Sequence, residues 1–315
     1  MNVCFRGKSC AKILISCLVL TLILTFWIAL HLSPIITNGL SVNTSDCKCS
    51  SGESNDHQKH VKVMSSMDTS VHRLAVVVPF RDRFDELLTF VPHMNAFLKR
   101  QGIDYKIYVI NQKDVYRFNR ASLINVGFLI SRPECDYMAM HDIDLLPLNP
   151  NLSYRFPSDG PFHVSAPNLH PKYHYKTFVG GILVISGQHF ERVNGMSNNY
   201  WGWGLEDDEF YVRLKEANLV VSRPEDITTG INDTFSHIHN PSRKRDTVRL
   251  FNQKEITRKR DRKTGLNSVQ FRLKSVNELT IDSSPVTVYN VQLICDQSVT
   301  PWCQSRPTAA ANNSD

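Results

Sequence analysis

Residues Leu74–Phe80 read LAVVVPF. An aliphatic run with no polar break, closed by Pro79, predicts a strand buried on both faces, because a half-exposed strand would alternate apolar with polar residues. Arg81, Asp82 and Arg83 supply the turn that follows. Working outward, Leu87–Leu98 is expected to be a helix, Tyr105–Ile110 a second strand, Ala121–Ile130 a second helix, and Tyr137–His141 and Val179–Ser186 further strands. This β-α-β rhythm predicts an α/β domain whose ligands sit beyond the carboxyl ends of its strands. Arginines at the end of the first strand would then face phosphate.

Upstream, Ile13–Leu30 is a nearly unbroken apolar run of 18 residues preceded by Arg6, Lys8 and Lys12. Its length and basic flank predict a single transmembrane signal anchor with a cytosolic N-terminus. The run is long for a cleaved signal peptide, and no A-x-A-like site follows it. The chain thus divides into a cytosolic tail (1–12), an anchor (13–32), a polar, Ser-rich stem (33–71) and a lumenal catalytic domain (72–315). N-x-S/T triplets at Asn43, Asn151, Asn232 and Asn312 agree with exposure to the secretory lumen. Cys4, Cys10 and Cys17 precede or lie in the anchor, where disulfides are not expected, and Cys47 and Cys49 lie in the stem with no partner pair at zinc spacing. A Cys295–Cys303 bridge is expected across the short C-terminal loop, leaving Cys135 as a buried thiol.

The formal charge of +6 gathers late in the domain, where Arg243–Lys263 carries ten Lys or Arg against Asp246, Glu255 and Asp261. Such a run is commonly a solvated face, and in the lumen it could attract a diphosphate or an acidic, glycan-bearing protein. No nucleic-acid motif accompanies it.

Three constellations carry chemistry. In Asn198–Tyr211, NNYWGWGLEDDEFY, two tryptophans with neighbouring glycines run into Glu206, Asp207, Asp208 and Glu209. Acids in a helix's first turn complement its dipole, with Phe210, Tyr211 and Leu214 as the core face. The same residues suit a sugar site, because pyranose rings stack on aromatic faces while a carboxylate takes a proton from a hydroxyl. No third glycine follows G-x-G, which excludes a dinucleotide fingerprint. The second constellation, Met140–Leu148 (MHDIDLLPL), places Asp142 and Asp144 directly after an apolar strand, where a divalent cation bridging a diphosphate could be held. The third, Phe235–His239 (FSHIH), presents two histidines at i, i+2 on an extended segment. Joined to a distant aspartate they make a mixed N/O set suited to Mn2+, with positions open to diphosphate oxygens.

Together these stretches resemble a known family. PFRDR (Pro79–Arg83), FNRASLINVGF (Phe118–Phe128), HDIDLLP (His141–Pro147), FVGGILVIS (Phe178–Ser186) and YWGWGLEDDEF (Tyr200–Phe210) are similar, in that order, to motifs of the β-1,4-galactosyltransferases. The resemblance spans roughly residues 72–260. It implies a GT-A glycosyltransferase fold, with a Rossmann-like mixed sheet, in a type II Golgi membrane protein. Met-His before Asp142, the FSHIH pair and NPSRKRD (Asn240–Asp246) point within the family to transfer of galactose from UDP-galactose to the 4-hydroxyl of β-xylose on a proteoglycan core protein. A terminal N-acetylglucosamine acceptor, or an N-acetylated donor, is the alternative. The resemblance further implies Asp144, His237 and His239 as manganese ligands and Asp207 as catalytic base. It implies Pro79, Phe80, Arg81, Arg83, Phe118, Arg120, Asp142 and Ile143 around the nucleotide. Around the two sugars it implies Tyr173, His174, Tyr175, Phe178, Trp203, Gly204, Glu206 and Asp208. Phe178 stands where a tyrosine is common in the family, and Leu205 where some relatives carry arginine, so hydrogen bonds from those positions are lost.

The chemistry also follows from the residues. Inverting transfer needs one base for the attacking hydroxyl and one electrophile for the departing diphosphate, and attack opposite the leaving group turns an α donor into a β product. Glu206 and Asp208 would strengthen the hold of Asp207 on a proton. Glycines around Trp203, and the polar run 243–263, could close over the site. A metal-dependent hydrolase would not need PFRDR and FNRA, and a lectin would not need the full set Asp144, His237, His239 and Asp207.

Overall fold

The computed structural model describes residues 72–304, so the expected tail, anchor and stem, and the sequons at Asn43 and Asn312, lie outside the described residues. The aliphatic run forms strand β1 (Arg73–Phe80), and alternation divides its side chains between two cores. Leu74, Val76 and Val78 face helix α1 (Phe84–Arg100) and pack with Leu87, Phe90, Met94 and Phe97. Ala75 and Val77 face helix α2 (Arg120–Ser131) and pack with Leu123, Ile124 and Phe128. Being covered on both sides is why the strand needs no polar residue. α2 lies close because residue 127 is glycine: a β-carbon there would overlap the Val77 side chain.

Strands β2 (Asp104–Gln112) and β3 (Tyr137–His141) flank β1 in parallel. After β3 the chain makes a short strand β4 (Leu145–Pro147), then β5 (Phe162–His163), β6 (Ile182–Ser186) and helix α3 (Gly187–Arg192). Helix α4 (Glu206–Glu216) and strand β7 (Phe235–His237) follow, then a one-turn helix α5 (Gln253–Ile256) and the hairpin β8 (Phe271–Ile281) and β9 (Ser284–Leu293). The main sheet runs β5-β6-β3-β1-β2-β9-β8, parallel in its centre through β3, β1, β2 and β9 and antiparallel at both margins. β4 and β7 form a separate two-stranded sheet.

Two expectations need correction. The strand expected over Val179–Ser186 begins at Ile182, because Gly180–Gly181 forms a turn in which Gly181 has φ +74°, a conformation that costs glycine nothing. The run 243–263 is no loose flap: Asp246 pairs with buried Arg117, Arg243 with Glu86, and Arg260 with Glu209. The Cys295–Cys303 disulfide is present and Cys135 is a buried free thiol. Asn151 and Asn232 are exposed.

Candidate active site

The carboxyl ends of β1 and β3, the Gly180–Gly181 turn and the N-terminus of α4 open into one cleft of about 440 Å³. Of the residues expected around nucleotide and sugars, Pro79, Arg81, Arg83, Phe118, Arg120, Asp142, Ile143, Tyr173, Tyr175, Phe178, Trp203, Gly204, Glu206, Asp207 and Asp208 line it. Asp144 does as well. Phe80 does not, because its side chain is packed in the α1-facing core. His174 also turns away, its Nδ1 bonded to the Pro167 carbonyl at 2.9 Å.

Register builds the first cluster. β4 and β7 pair Leu145 with His237, and the Ile238 N–H donates to the Asp144 carbonyl at 2.9 Å. His237 lies on the strand and His239 just beyond it, yet both approach Asp144: Oδ2 is 3.7 Å from His237 Nε2 and 3.1 Å from His239 Nδ1. His239 Nε2 lies 3.0 Å from the Arg243 carbonyl, which fixes that nitrogen as the donor. In the neutral ring Nδ1 then presents a lone pair, which Arg83 Nη1 approaches to 3.4 Å. That lone pair, 3.1 Å from the Asp144 carboxylate, is repulsive unless a proton or a metal cation lies between them. An imidazole whose other N–H is held by a carbonyl is the usual arrangement at a metal. Among the described residues no three such side chains stand together in the geometry of a metal site; one carboxylate and two imidazoles nonetheless supply the donor types that Mn2+ accepts.

The second cluster is acidic. Leu205 enters α4 at φ +77° without a side-chain cap, and Glu206, Asp207 and Asp208 occupy the first turn. Asp207 is half-buried, and an added β-carbon on Gly180 would stand 2.5 Å from its Oδ2, so only glycine leaves it room. Burial first, then Glu206 and Asp208, push the Asp207 carboxyl up to about 8, against the pull of Arg120. Glu206 is raised too, mainly by burial, and its Oε2 is buried with no partner. Arg120 joins the clusters, donating to Asp142 at 2.7 Å and lying 3.9 Å from Glu206. Burial opposes its charge, but these carboxylates hold its pKa above the ordinary value. Arg81 is committed to the loop after β2, bonding the carbonyls of Gln112, Asp114 and Tyr116, so it shapes the cleft wall and has little left for a phosphate.

Between the clusters stands an aromatic wall. Phe178 touches His170, Tyr173 and Tyr175 with ring centroids 5.0–5.4 Å apart. Opposite, Arg245 lies over Trp203 at 5.0 Å and bonds the Tyr173 hydroxyl at 2.6 Å. His170, Lys244, Arg245, Asp246, Arg249 and Gly181 also line the cleft and were not singled out from sequence. The basic run offered a signal for Lys244, Arg245 and Arg249, but not which of its ten cations turn inward. His170 had no signal.

A cleft with a carboxylate–imidazole cluster, a proton-accepting acid and an aromatic sugar-sized wall, at the strand ends of a mixed α/β sheet, defines a glycosyltransferase. Comparison with known proteins gives the family. Residues 33–157 match the N-terminal region of glycosyl transferase group 7, and residues 160–238 match the N-terminal domain of galactosyltransferase. Beta-1,4-galactosyltransferase 7 of Drosophila melanogaster is 63% identical over 77% of this chain and 76% of its own length. The Caenorhabditis elegans xylosylprotein 4-beta-galactosyltransferase is 49% identical over 76% of this chain and 84% of its own. The crystal structure of the Drosophila beta-1,4-galactosyltransferase 7 catalytic domain with xylobiose superposes with a TM-score of 0.73 at 62% identity, covering 75% of this chain and all of that one. A mutant of that enzyme, similar to the same degree, was crystallised with manganese, UDP-Gal and xylobiose. The chain belongs to the β-1,4-galactosyltransferase family.

Proposed function

We propose that this enzyme transfers galactose from UDP-galactose, with inversion and with Mn2+, to the 4-hydroxyl of β-xylose on a proteoglycan core protein. The observation that carries it is the placing of Asp207 in one cleft with Asp144 and His239, with His237 behind them 3.7 Å from Asp144, in a chain similar to a xylosylprotein 4-beta-galactosyltransferase. The fold is read as GT-A, and the molecule as a type II Golgi membrane protein anchored by residues 13–32.

Asp144, His237 and His239 would hold the cation, which when bound stabilises negative charge on the departing diphosphate. Arg83, Phe118 and Ile143 shape the nucleotide side, and Arg120 steadies Asp142 there. The acceptor ring stacks against Tyr173, Tyr175 and Phe178. Phe178 brings no hydroxyl, which suits a sugar face without a polar substituent. Asp207 takes the proton from the acceptor hydroxyl as that oxygen attacks the anomeric carbon, a contribution of roughly 10²–10⁴-fold for a well-placed base. Trp203, 42% exposed and flanked by Gly202 and Gly204, covers the donor and excludes water.

The deciding experiment offers UDP-galactose with β-xylosides and with N-acetylglucosaminides. Transfer to xylosides is expected, and preference for the N-acetylated acceptor would overturn the assignment.

A further inference from the structure

The Gly180–Gly181 turn is where the acid cluster, the aspartate pair and the aromatic wall meet, and a buried imidazole braces it from behind. His163, wholly buried at the end of β5, donates from Nε2 to the Gly180 carbonyl at 2.8 Å, which also accepts the Ser165 hydroxyl at 2.9 Å. The Gly181 carbonyl points elsewhere and accepts the Asp142 N–H at 3.0 Å. The α-carbon of Gly180 faces the Asp207 carboxyl. The same imidazole stands edge-on to Phe178, centroids 5.4 Å apart. Yet its Nδ1 is buried with no partner. An unpaired buried polar atom carries an uncompensated desolvation cost, so packing alone would favour an apolar residue at this position. Local rules broken without a packing gain are expected at functional sites.

We infer that His163 is a positioning residue for the transfer reaction: by holding the Gly180 peptide it sets the wall against which the Asp207 carboxylate rests, and so the approach of that carboxylate to the acceptor hydroxyl. The inference rests on Asp207 being the base. Its test compares His163→Leu, His163→Gln and Asp207→Asn in the full chain. His163→Leu is expected to lower kcat on the order of 10- to 100-fold, as a misplacement of up to about 1 Å does, while KM for UDP-galactose and the melting temperature hold. The acid limb of its kcat profile moves to lower pH, because a loosened turn admits water beside Asp207. Glu206 and Asp208 on α4, Arg120 on α2, and Tyr173 and Tyr175 on the facing loop also surround that carboxyl and are unchanged. His163→Gln, whose amide can reach the same carbonyl, recovers most of the rate. If the leucine variant does not fold, Ser165→Ala, which removes the other donor to Gly180, is expected to shift the same limb. Unchanged kcat and an unmoved limb in His163→Leu, or a loss that glutamine does not recover, would overturn the inference. Full turnover by Asp207→Asn would instead remove the base assignment beneath it; an inactive Asp207→Asn beside an unaffected His163→Leu sinks this inference alone.

Discussion

Asp207 sits where burial and two neighbouring carboxylates favour its proton, which makes it a strong base and a scarce one at low pH. Asp207→Asn should keep UDP and metal binding while transfer falls by more than ~100-fold, the lower end for a lost base. Unchanged turnover would remove the assignment. The ionised form is the active one, so kcat/KM should rise with pH through a pKa displaced from 3.8 toward about 8. A profile already flat at pH 5 would contradict this. Asp144→Asn should raise the Mn2+ concentration needed for half-maximal activity, and calorimetric titration with Mn2+ alone reads the same loss without turnover. Asp144 and Asp207 were legible because each lies in a longer motif, HDIDLLP and YWGWGLEDDEF, that resembles the family's; a D-x-D alone is ordinary turn chemistry and acids in a helix's first turn merely complement its dipole. His170 and His163 were not, because a lone histidine carries no direction until the fold gives it neighbours.

Helix α4 starts without a side-chain cap and with acids in its first turn, whose charge the helix dipole favours while burial and their mutual repulsion oppose it. The sign follows from linkage. Asp207 binds its proton more tightly folded than unfolded, so between about pH 4 and 8 the folded state holds more protons and stability falls as pH rises. Asp207→Asn should therefore melt at a higher temperature than the parent at pH 8, with the gap closing toward pH 4; a gap that widens on acidification would refute the linkage. At the other end of the chain, the Cys295–Cys303 bridge sets a 3-10 turn, Pro301–Cys303, whose Trp302 is buried and whose Cys303 carbonyl accepts the Arg117 N–H at 2.7 Å. Closing so short a loop is worth about 2–3 kcal/mol in the chain-entropy picture. Cys295→Ser with Cys303→Ser should lose about that much in urea denaturation. The pairing was readable from spacing; that its turn buttresses the loop behind the cleft was not.

Across the whole molecule, Arg117 fastens the segment after His237 and His239 to the body. Its buried guanidinium donates to both Asp246 oxygens, to Gln253 and to the carbonyls of Val248 and Trp302. The Asp246 backbone carbonyl accepts the Trp203 N–H at 2.8 Å, so the residue held by the ion pair also ties the two cleft-lining segments together. Arg117→Ala should cost about 3 kcal/mol, the lower end for a broken buried pair because Asp246 is 40% exposed. It should also raise KM for the donor; a variant with parental stability and KM would show the pair to be idle. By itself the sequence determined the α/β rhythm, the order of the motifs and the residue types able to do the chemistry, because periodicity and clustered acids are local properties. Only the tertiary structure decided which of them meet. The register of β4 on β7 carries two histidines to an aspartate some ninety residues away in sequence, a two-glycine turn makes room for Asp207, and ion pairs to the body select which cations of a basic run face the cleft. Such contacts depend on long-range pairing and burial, which no local pattern encodes.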